Sequence, residues 1–405
     1  MPSRPARMTR RDCLRGLSAG AAGLAGAAAL GGLGGCGGQG VWDERPRDGL
    51  LPRVFWGDVH THTNLSDGKC TLDELLTCAR DQVKLDFIIL TDHDFGHAAP
   101  WRMPQADWNL IQDKADQYTV PGRFVVLAGY EWTSQAKYWT DVPADKPSER
   151  LFPGRPKNYN HKCVYFPGRV ERIFSAKDAA FKTPDSLAEA VAAHDGLIHH
   201  AHPMQMEDCT DQWECQRRHD AVMCNTEILP DSIRHKGKLF DCGSERAVRQ
   251  FLASGGRCGF VGGSDTHDRK PQARTGLFAD ELTRRAVFDA LRHRRNYSVF
   301  GSRVVLDFRV DGQGMGQEIT SPGEPALSIS VVGTAPLREV AVIRDGAILA
   351  ARKTDSKQVR WEFTDRSFRG NSYYYLRVTQ ADADEHGNPT RAWSSPIWVR
   401  AHSNS

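Results

Sequence analysis

The chain has 405 residues, 25% of them charged, and a formal net charge of +3. That is length for two domains, or one large one, and the balance argues against a disordered polyelectrolyte. With no run of like charge, nothing points to a nucleic-acid partner.

The amino terminus is read apart from the fold. An arginine-rich start is followed by "LSAGAAGLAGAAALGGLGG", which is too poor in Leu, Ile, Val and Phe for a transmembrane span. "TRRDCL", Thr9 to Leu14, resembles a twin-arginine export signal with Arg10 and Arg11 as the pair and Cys13 where Phe is usual. The plain alternative is a basic tail. "LGGC", Leu33 to Cys36, resembles a bacterial lipobox and would make Cys36 a lipid anchor, with cleavage nearby as the alternative. The expectation is an exported protein, periplasmic or at the cell surface, carried by the twin-arginine machinery, with residues 1–36 as signal and 37–52 as a Gly-, Pro- and charge-rich linker. Export would allow disulfides among Cys70, Cys78, Cys163, Cys209, Cys215, Cys224, Cys242 and Cys258, and none of these has the C-x-x-C spacing of a zinc knuckle.

Seven apolar runs then read as buried strands: "RVFWGDVHTHT", "DFIILTDHD", "RFVVLAGYEW", "KCVYFP", "GLIHHAHP", "AVMCNTEI" and "GFVGGSDTH". Helical patterns lie between several of them. "TLDELLTCARDQV" puts Leu72, Leu75, Leu76, Ala79 and Val83 on one face and opens on a Thr71/Glu74 capping box. "TPDSLAEAVAAHDG" has Pro184 in its first turn and Gly196 past its end; "SERAVRQFLASGG" and "TRRAVFDALRHR" behave likewise. Strands alternating with helices predict parallel strands in an α/β barrel or open sheet over residues 53–302. From residue 303 to 401 the period drops to two, as in Val304, Leu306, Phe308 and Val310, and Asp345-Gly346 reads as a hairpin turn. This part is expected to be a small all-β sandwich. The stretches between Pro100 and Gly122 and between Trp139 and Asn160 are read as site walls or a lid, or as plain long loops.

Metal-capable residues fall where these strands end or begin. His60 and His62 end the first, His93 the second and Glu131 the third; His161 opens the fourth; His199, His200 and His202 end the fifth; Asp265 and His267 end the seventh. Each alone has a bland reading, as a surface pair, a helix cap, a satisfied carboxylate or a loop histidine. Together they predict a shared site, because parallel strands open their carboxyl ends on one face and buried His and Asp are costly unless paired or metal-bound. Asp58, Asp92 and Asp94 stand beside these residues and either orient imidazoles or are solvated turn residues.

This arrangement resembles the PHP family, named for its polymerase and histidinol phosphatase members, over roughly residues 54 to 270. "HTH" with Asp67, "TDH", "GYEW", the following "NH", "AHP" and "SDTH" come in the family's order. The resemblance implies a distorted (β/α)7 barrel holding three divalent ions, Zn, Mn or Fe. It would give His60, His62, Asp265 and Glu131 to one ion. Glu131, His161 and His202 would hold a second, with His199 able to replace His202, and Asp67, His93 and His267 a third. Bridged ions suit hydrolysis of a phosphoester by a metal-held hydroxide, with Glu131, His202 and Asp265 as the catalytic residues and His202 or Asp265 protonating the leaving group. "GYEWTS" and "SYYYLRVTQ…AWSSPIWV" look more like an exported, carbaryl-hydrolase-like branch, so carboxyl or carbamate ester hydrolysis of a small molecule is the runner-up. A non-catalytic surface binder that keeps metals for structure, with sandwich aromatics such as Trp361, Tyr373 and Trp398 on a glycan, is the third reading.

Overall fold

A computed structural model describes residues 53–95, 102–134, 159–203, 210–272 and 274–402. The signal, the linker, Cys36, Cys209 and nearly all of the stretch from Trp139 to Asn160 lie outside the described residues.

The first part of the chain builds β1 (Val54–Asp58), β2 (Phe87–Leu90), β3 (Val125–Ser134), β4 (Asn160–Tyr165), β5 (Leu197–His200), β6 (Asn225–Glu227), β7 (Ser232–His235), β8 (Lys238–Asp241), β9 (Gly259–Val261), β10 (Thr275–Phe278) and β11 (Asn296–Phe300). Among the described residues six α-helices are interspersed: α1 (Leu72–Thr77), α2 (Gln105–Tyr118), α3 (Pro184–Ala192), α4 (Thr210–Arg218), α5 (Ser244–Ala253) and α6 (Arg284–Arg292). The second part is all strand: β12 (Val304–Val310), β13 (Glu318–Ser321), β14 (Ala326–Gly333), β15 (Leu337–Arg344), β16 (Ala347–Lys353), β17 (Gln358–Thr364), β18 (Ser372–Ala383), β19 (Pro389–Ser394) and β20 (Ile397–Ala401).

The molecule is mixed α/β and rich in strand. One fifteen-stranded sheet carries the path β13-β20-β18-β19-β11-β10-β1-β2-β3-β4-β5-β6-β9. β1, β2 and β3 pair in parallel, as do β5, β6 and β9. A parallel bridge between Thr61 and Thr266 joins the chain just beyond β1 to the chain just beyond β9. The expectation of uniformly parallel strands fails at β4, which is antiparallel to both β3 and β5. The consequence is local: β4 begins, rather than ends, at the edge where its neighbours finish, and that is where His161 lies.

Alternation along the strands sorts the core. Phe87, Ile89, Val125, Leu127, Tyr165 and Leu197 pack together with Val287, Phe288 and Leu291 of α6. The alternate residues Ile88, Leu90, Val126, Val164 and Ile198 pack with Leu75 and Leu76 of α1, Trp108 and Ile111 of α2, and Leu187 and Val191 of α3. Thr71 and Glu74 make the expected capping box on α1, and Thr183 and Ser186 make another on α3. The run after α1 continues as a π-helical turn over Cys78–Gln82. α2, within the stretch read as site wall or long loop, packs Trp108, Ile111 and Ala115 into this core.

The all-β part has two layers. β12, β14 and β17 form a three-stranded sheet, and their inward residues Val304, Leu306, Phe308, Leu327, Ile329 and Trp361 meet Val340, Val342, Tyr374, Leu376 and Val399 of the large sheet. Val54, Trp56, Tyr297 and Val299 share that core, and β11 pairs with β19, so the large sheet runs on from one part of the chain into the other. Asp345 and Gly346 both take left-handed φ, 52° and 81°, between β15 and β16, as the hairpin reading requires. Among the described residues no helix is long and apolar enough to cross a membrane. Cys70, Cys78, Cys163, Cys215, Cys224, Cys242 and Cys258 are buried free thiols, so none of the disulfides that export would allow joins them here.

Candidate metal centre

Glu131 is the hub. It lies on β3 in ladder register with Cys163 of β4 and bridges to His93 beyond β2. Its side chain is buried, and imidazoles from four other segments face its two oxygens. Oε1 lies 2.7 Å from His161 Nδ1, 3.2 Å from His202 Nε2 and 3.3 Å from His60 Nε2. Oε2 lies 2.9 Å from His93 Nδ1 and 3.4 Å from His62 Nε2. A carboxylate so enclosed must be neutralised. Burial pushes the Glu131 carboxyl up, but His161, His60 and His93 outweigh it and hold it well below the usual range.

Two further carboxylates flank this hub. Asp265 Oδ1 is 3.0 Å from His62 Nε2 and 3.4 Å from His60 Nε2. Asp67 Oδ1 is 3.1 Å from His267 Nε2, 3.6 Å from His93 Nε2 and 3.7 Å from His62 Nδ1. The Asp67 side chain is 19% exposed while His60, His62 and Glu131 are at most 1%, so the cluster opens to solvent on the Asp67 side. Burial and then His267 push the His62 imidazole well below its usual range. Burial also opposes a charge on His60, but the Cys163 sulfur, Glu131, Asp265 and Glu227 override it and hold that ring well above.

Donor sets drawn within 4.8 Å of one another include His62/Asp67/His93/His267, His60/His62/Asp265, His60/Glu131/His202 and His93/Glu131/His161. Nine of the ten sequence-predicted ligands therefore meet in one cluster: His60, His62, Asp67, His93, Glu131, His161, His202, Asp265 and His267. The tenth, His199, stands apart from Glu131, close to Cys163 and the His60 ring. Glu131 Oε2 makes no hydrogen bond although two ring nitrogens stand within 3.4 Å of it. Nitrogen and oxygen donors crowded this closely around buried carboxylates are what an all-N/O divalent-ion site needs, and the residues present fit one.

Backbone geometry marks the same place. Asn160, His202 and Asp265 have φ of 60°, 30° and 51°, a region non-glycine residues seldom occupy and which concentrates at functional sites. Asn160 Nδ2 donates to the carbonyls of Ala201 and His202 and so pins the turn that presents His202.

The residue that sequence reading passed over is Glu227, at the end of β6. Its Oε1 is 2.8 Å from His60 Nδ1, and its Oε2 accepts the His202 N–H at 2.8 Å. Accepting at Nδ1 fixes the His60 tautomer, leaving Nε2 as the donor atom toward Glu131 and Asp265. Gly263 makes room for this contact, since a Cβ there would stand 2.3 Å from Glu227 Oε1 and 2.4 Å from the His60 Cβ. The one available signal was position: the sixth strand alone had no strand-end ligand assigned.

Asp58, Asp92 and Asp94 turn out to be neither solvated nor hydrogen-bonded to imidazoles. Asp58 accepts the backbone N–H of His60, Ser264 and Gln272. Asp92 accepts from Thr63 N, Thr63 Oγ1 and Ser66 Oγ, and Asp94 from Ser175 Oγ and Ala176 N. They brace the loops that carry the ligands. Burial pushes Asp58 and Asp94 up to about 6.

Residues 82–141 match a family model described as "Protein of unknown function (DUF3604)". Over 383 residues the chain is 24% identical to an uncharacterized protein of Chlamydia muridarum, covering 86% of this chain and 58% of that one. Counterparts in Chlamydia trachomatis and Chlamydia pneumoniae are likewise 24% identical over 381 and 380 residues. The chain thus spans less than two thirds of the length of these relatives. Among solved structures, a two-domain protein from Bacteroides vulgatus containing a predicted PHP-like metal-dependent phosphoesterase aligns with a TM-score of 0.44 and 14% identity, over 83% of this chain and 94% of that one.

Proposed function

We propose that the chain is a metal-dependent hydrolase of PHP type, acting on phosphoesters of small molecules with up to three divalent ions. The carrying observation is the buried Glu131 carboxylate, faced by imidazoles on both oxygens and flanked by Asp265 and Asp67. Support for a distorted (β/α)7 barrel comes from the strand path β1-β2-β3-β4-β5-β6-β9 and the Thr61–Thr266 bridge between its ends.

When bound, the ions supply Lewis acidity toward phosphorus and lower the pKa of a coordinated water. The chain's own work is to hold donors in place and to move a proton. Glu131 with His60, His62 and Asp265 would hold one ion, and Glu131 with His161 and His202 a second. Asp67, His93 and His267 form the solvent side, where substrate enters. His202 Nδ1 makes no hydrogen bond among the described residues, and His202, with Asp265, is the candidate to protonate the leaving oxygen.

Elemental analysis of the purified protein, paired with turnover of aryl phosphates and aryl esters, tests this reading. The expected result is bound Zn, Mn or Fe and aryl phosphate hydrolysis that a chelator removes and the ion restores. Ester turnover without phosphate turnover would move the assignment to carboxyl or carbamate esters, and absence of bound metal would overturn it. Export of the chain is a separate proposal, tested by fractionating cells that express wild type and the Arg10→Lys/Arg11→Lys pair: retention of the variant in the cytoplasm is expected.

A further inference from the structure

Next to the candidate centre stand two side chains, Cys163 and His199, that this hydrolysis does not use. Glu131, Cys163 and His199 are ladder neighbours across β3, β4 and β5. Strand alternation places Cys163 on the same face of β4 as His161, one step further along the strand. Donor atoms of His60, Cys163 and His199 all lie within 4.8 Å of one another, and all three residues are completely buried. Glu227 Oε1 stands 3.7 Å from His199 Nε2.

His199 is the anomaly. Neither of its ring nitrogens has a partner at hydrogen-bond distance, the Glu227 carboxylate standing at 3.7 Å, and the side chain is completely buried. Buried polar atoms are seldom left unsatisfied, because each one forfeits its hydration without a replacement. The rings of Tyr165 and His60 stand 5.8 Å and 6.3 Å away, centroid to centroid, and ring packing answers for neither nitrogen. A buried thiol by itself is a small apolar filler. Beside an imidazole with no hydrogen bond and a carboxylate within reach, it completes a sulfur and nitrogen donor set of the kind zinc-class ions select.

We propose that Cys163 and His199, with the His60 ring and Glu227 beside them, bind a further divalent ion of the zinc class, distinct from those held around Glu131. On binding, the Cys163 S–H bond breaks, its proton leaves to solvent, and the sulfur electron pair forms the bond to the ion; no redox change is involved. His199 binds as the neutral ring. Cys163 and His199 would be the ion's ligands, with the Glu227 carboxylate in reach of His199. This inference stands whatever the outer cluster hydrolyses.

The test is titration of the full-length, chelator-treated protein with Co2+ alone, read by absorbance and by metal content. The outer donors are all nitrogen and oxygen, so a sulfur-to-cobalt charge-transfer band in the near ultraviolet reports Cys163. The expected result is that band in wild type, its loss in Cys163→Ser, and one bound equivalent fewer in both Cys163→Ser and His199→Gln, with circular dichroism unchanged. Cobalt bound by wild type without the band overturns the inner site and leaves the hydrolase reading intact. A band that survives Cys163→Ser overturns the assignment to Cys163. No bound cobalt overturns both readings.

Discussion

His60 shows how one side chain is fixed from two sides. Its Nδ1 meets Glu227, its Nε2 faces Glu131 and Asp265, and Gly263 clears the space behind it. Replacing Glu227 by Gln removes the carboxylate that sets the His60 tautomer and accepts the His202 N–H; metal affinity should fall roughly 10–100-fold, measured by competition with a chromogenic chelator. Gly263→Ala adds one methyl where none fits. It should cost about 1–3 kcal/mol of stability, read from denaturant midpoints, and weaken metal binding with it. The histidines of "HTH", "TDH" and "SDTH" are legible because alternation and strand-end position give them away. Glu227 is not, since a lone glutamate closing an apolar run has no partner within its own stretch of sequence. Its partners, His60 and His202, are 167 and 25 residues distant.

At the scale of elements, capping and turn chemistry are readable because they are local. Thr71 accepts the Glu74 N–H while Glu74 returns to the Thr71 N–H. Thr71→Ala should therefore cost about 0.5–2 kcal/mol, measured by thermal unfolding. The direction of β4 is not readable, because all six of its residues are buried and its side-chain alternation is the same whichever way it pairs. Nor are β10 and β11, short segments whose pairing with β1 and β19 is decided by distant residues. A pH dependence belongs to the β-rich part. Asp365 accepts from Arg344 Nη1 at 2.6 Å, Tyr374 Oη at 2.8 Å and Ser367 Oγ at 2.7 Å. Burial raises its carboxyl, but Ser367, Arg344 and Tyr374 prevail and hold it below the ordinary 3.8. A folded-state pKa below the unfolded one gives stability that is present above the unfolded value and lost as pH falls through the folded one. Asp365→Asn should thus destabilise by roughly 1–3 kcal/mol near pH 7, and its deficit relative to wild type should shrink below about pH 4, as urea titrations at several pH values would show.

Over the whole molecule, the boundary at residue 303 marks a change of rhythm and not a break in the core. Arg303 itself donates to the Lys84 carbonyl and lies over the Trp56 ring. With β11 paired to β19 and one apolar cluster drawn from both parts, the chain should unfold in a single calorimetric transition. Two resolved transitions would mean that the shared sheet does not couple them. The composition change is legible in sequence because period two replaces alternating helix and strand. The continuity of the sheet is not, since it rests on contacts nearly a hundred residues apart.

The reversal of β4 has a further consequence. Ser134 and Asn160 occupy the same rung of one ladder, so β3 ends where β4 begins. Had β4 run the other way, the connection would have needed a fixed length to reach the far edge. As built, the ladder itself, with Glu131 opposite Cys163 and Thr133 opposite His161, sets where Glu131 and His161 stand, independent of the length of chain between Ser134 and Asn160.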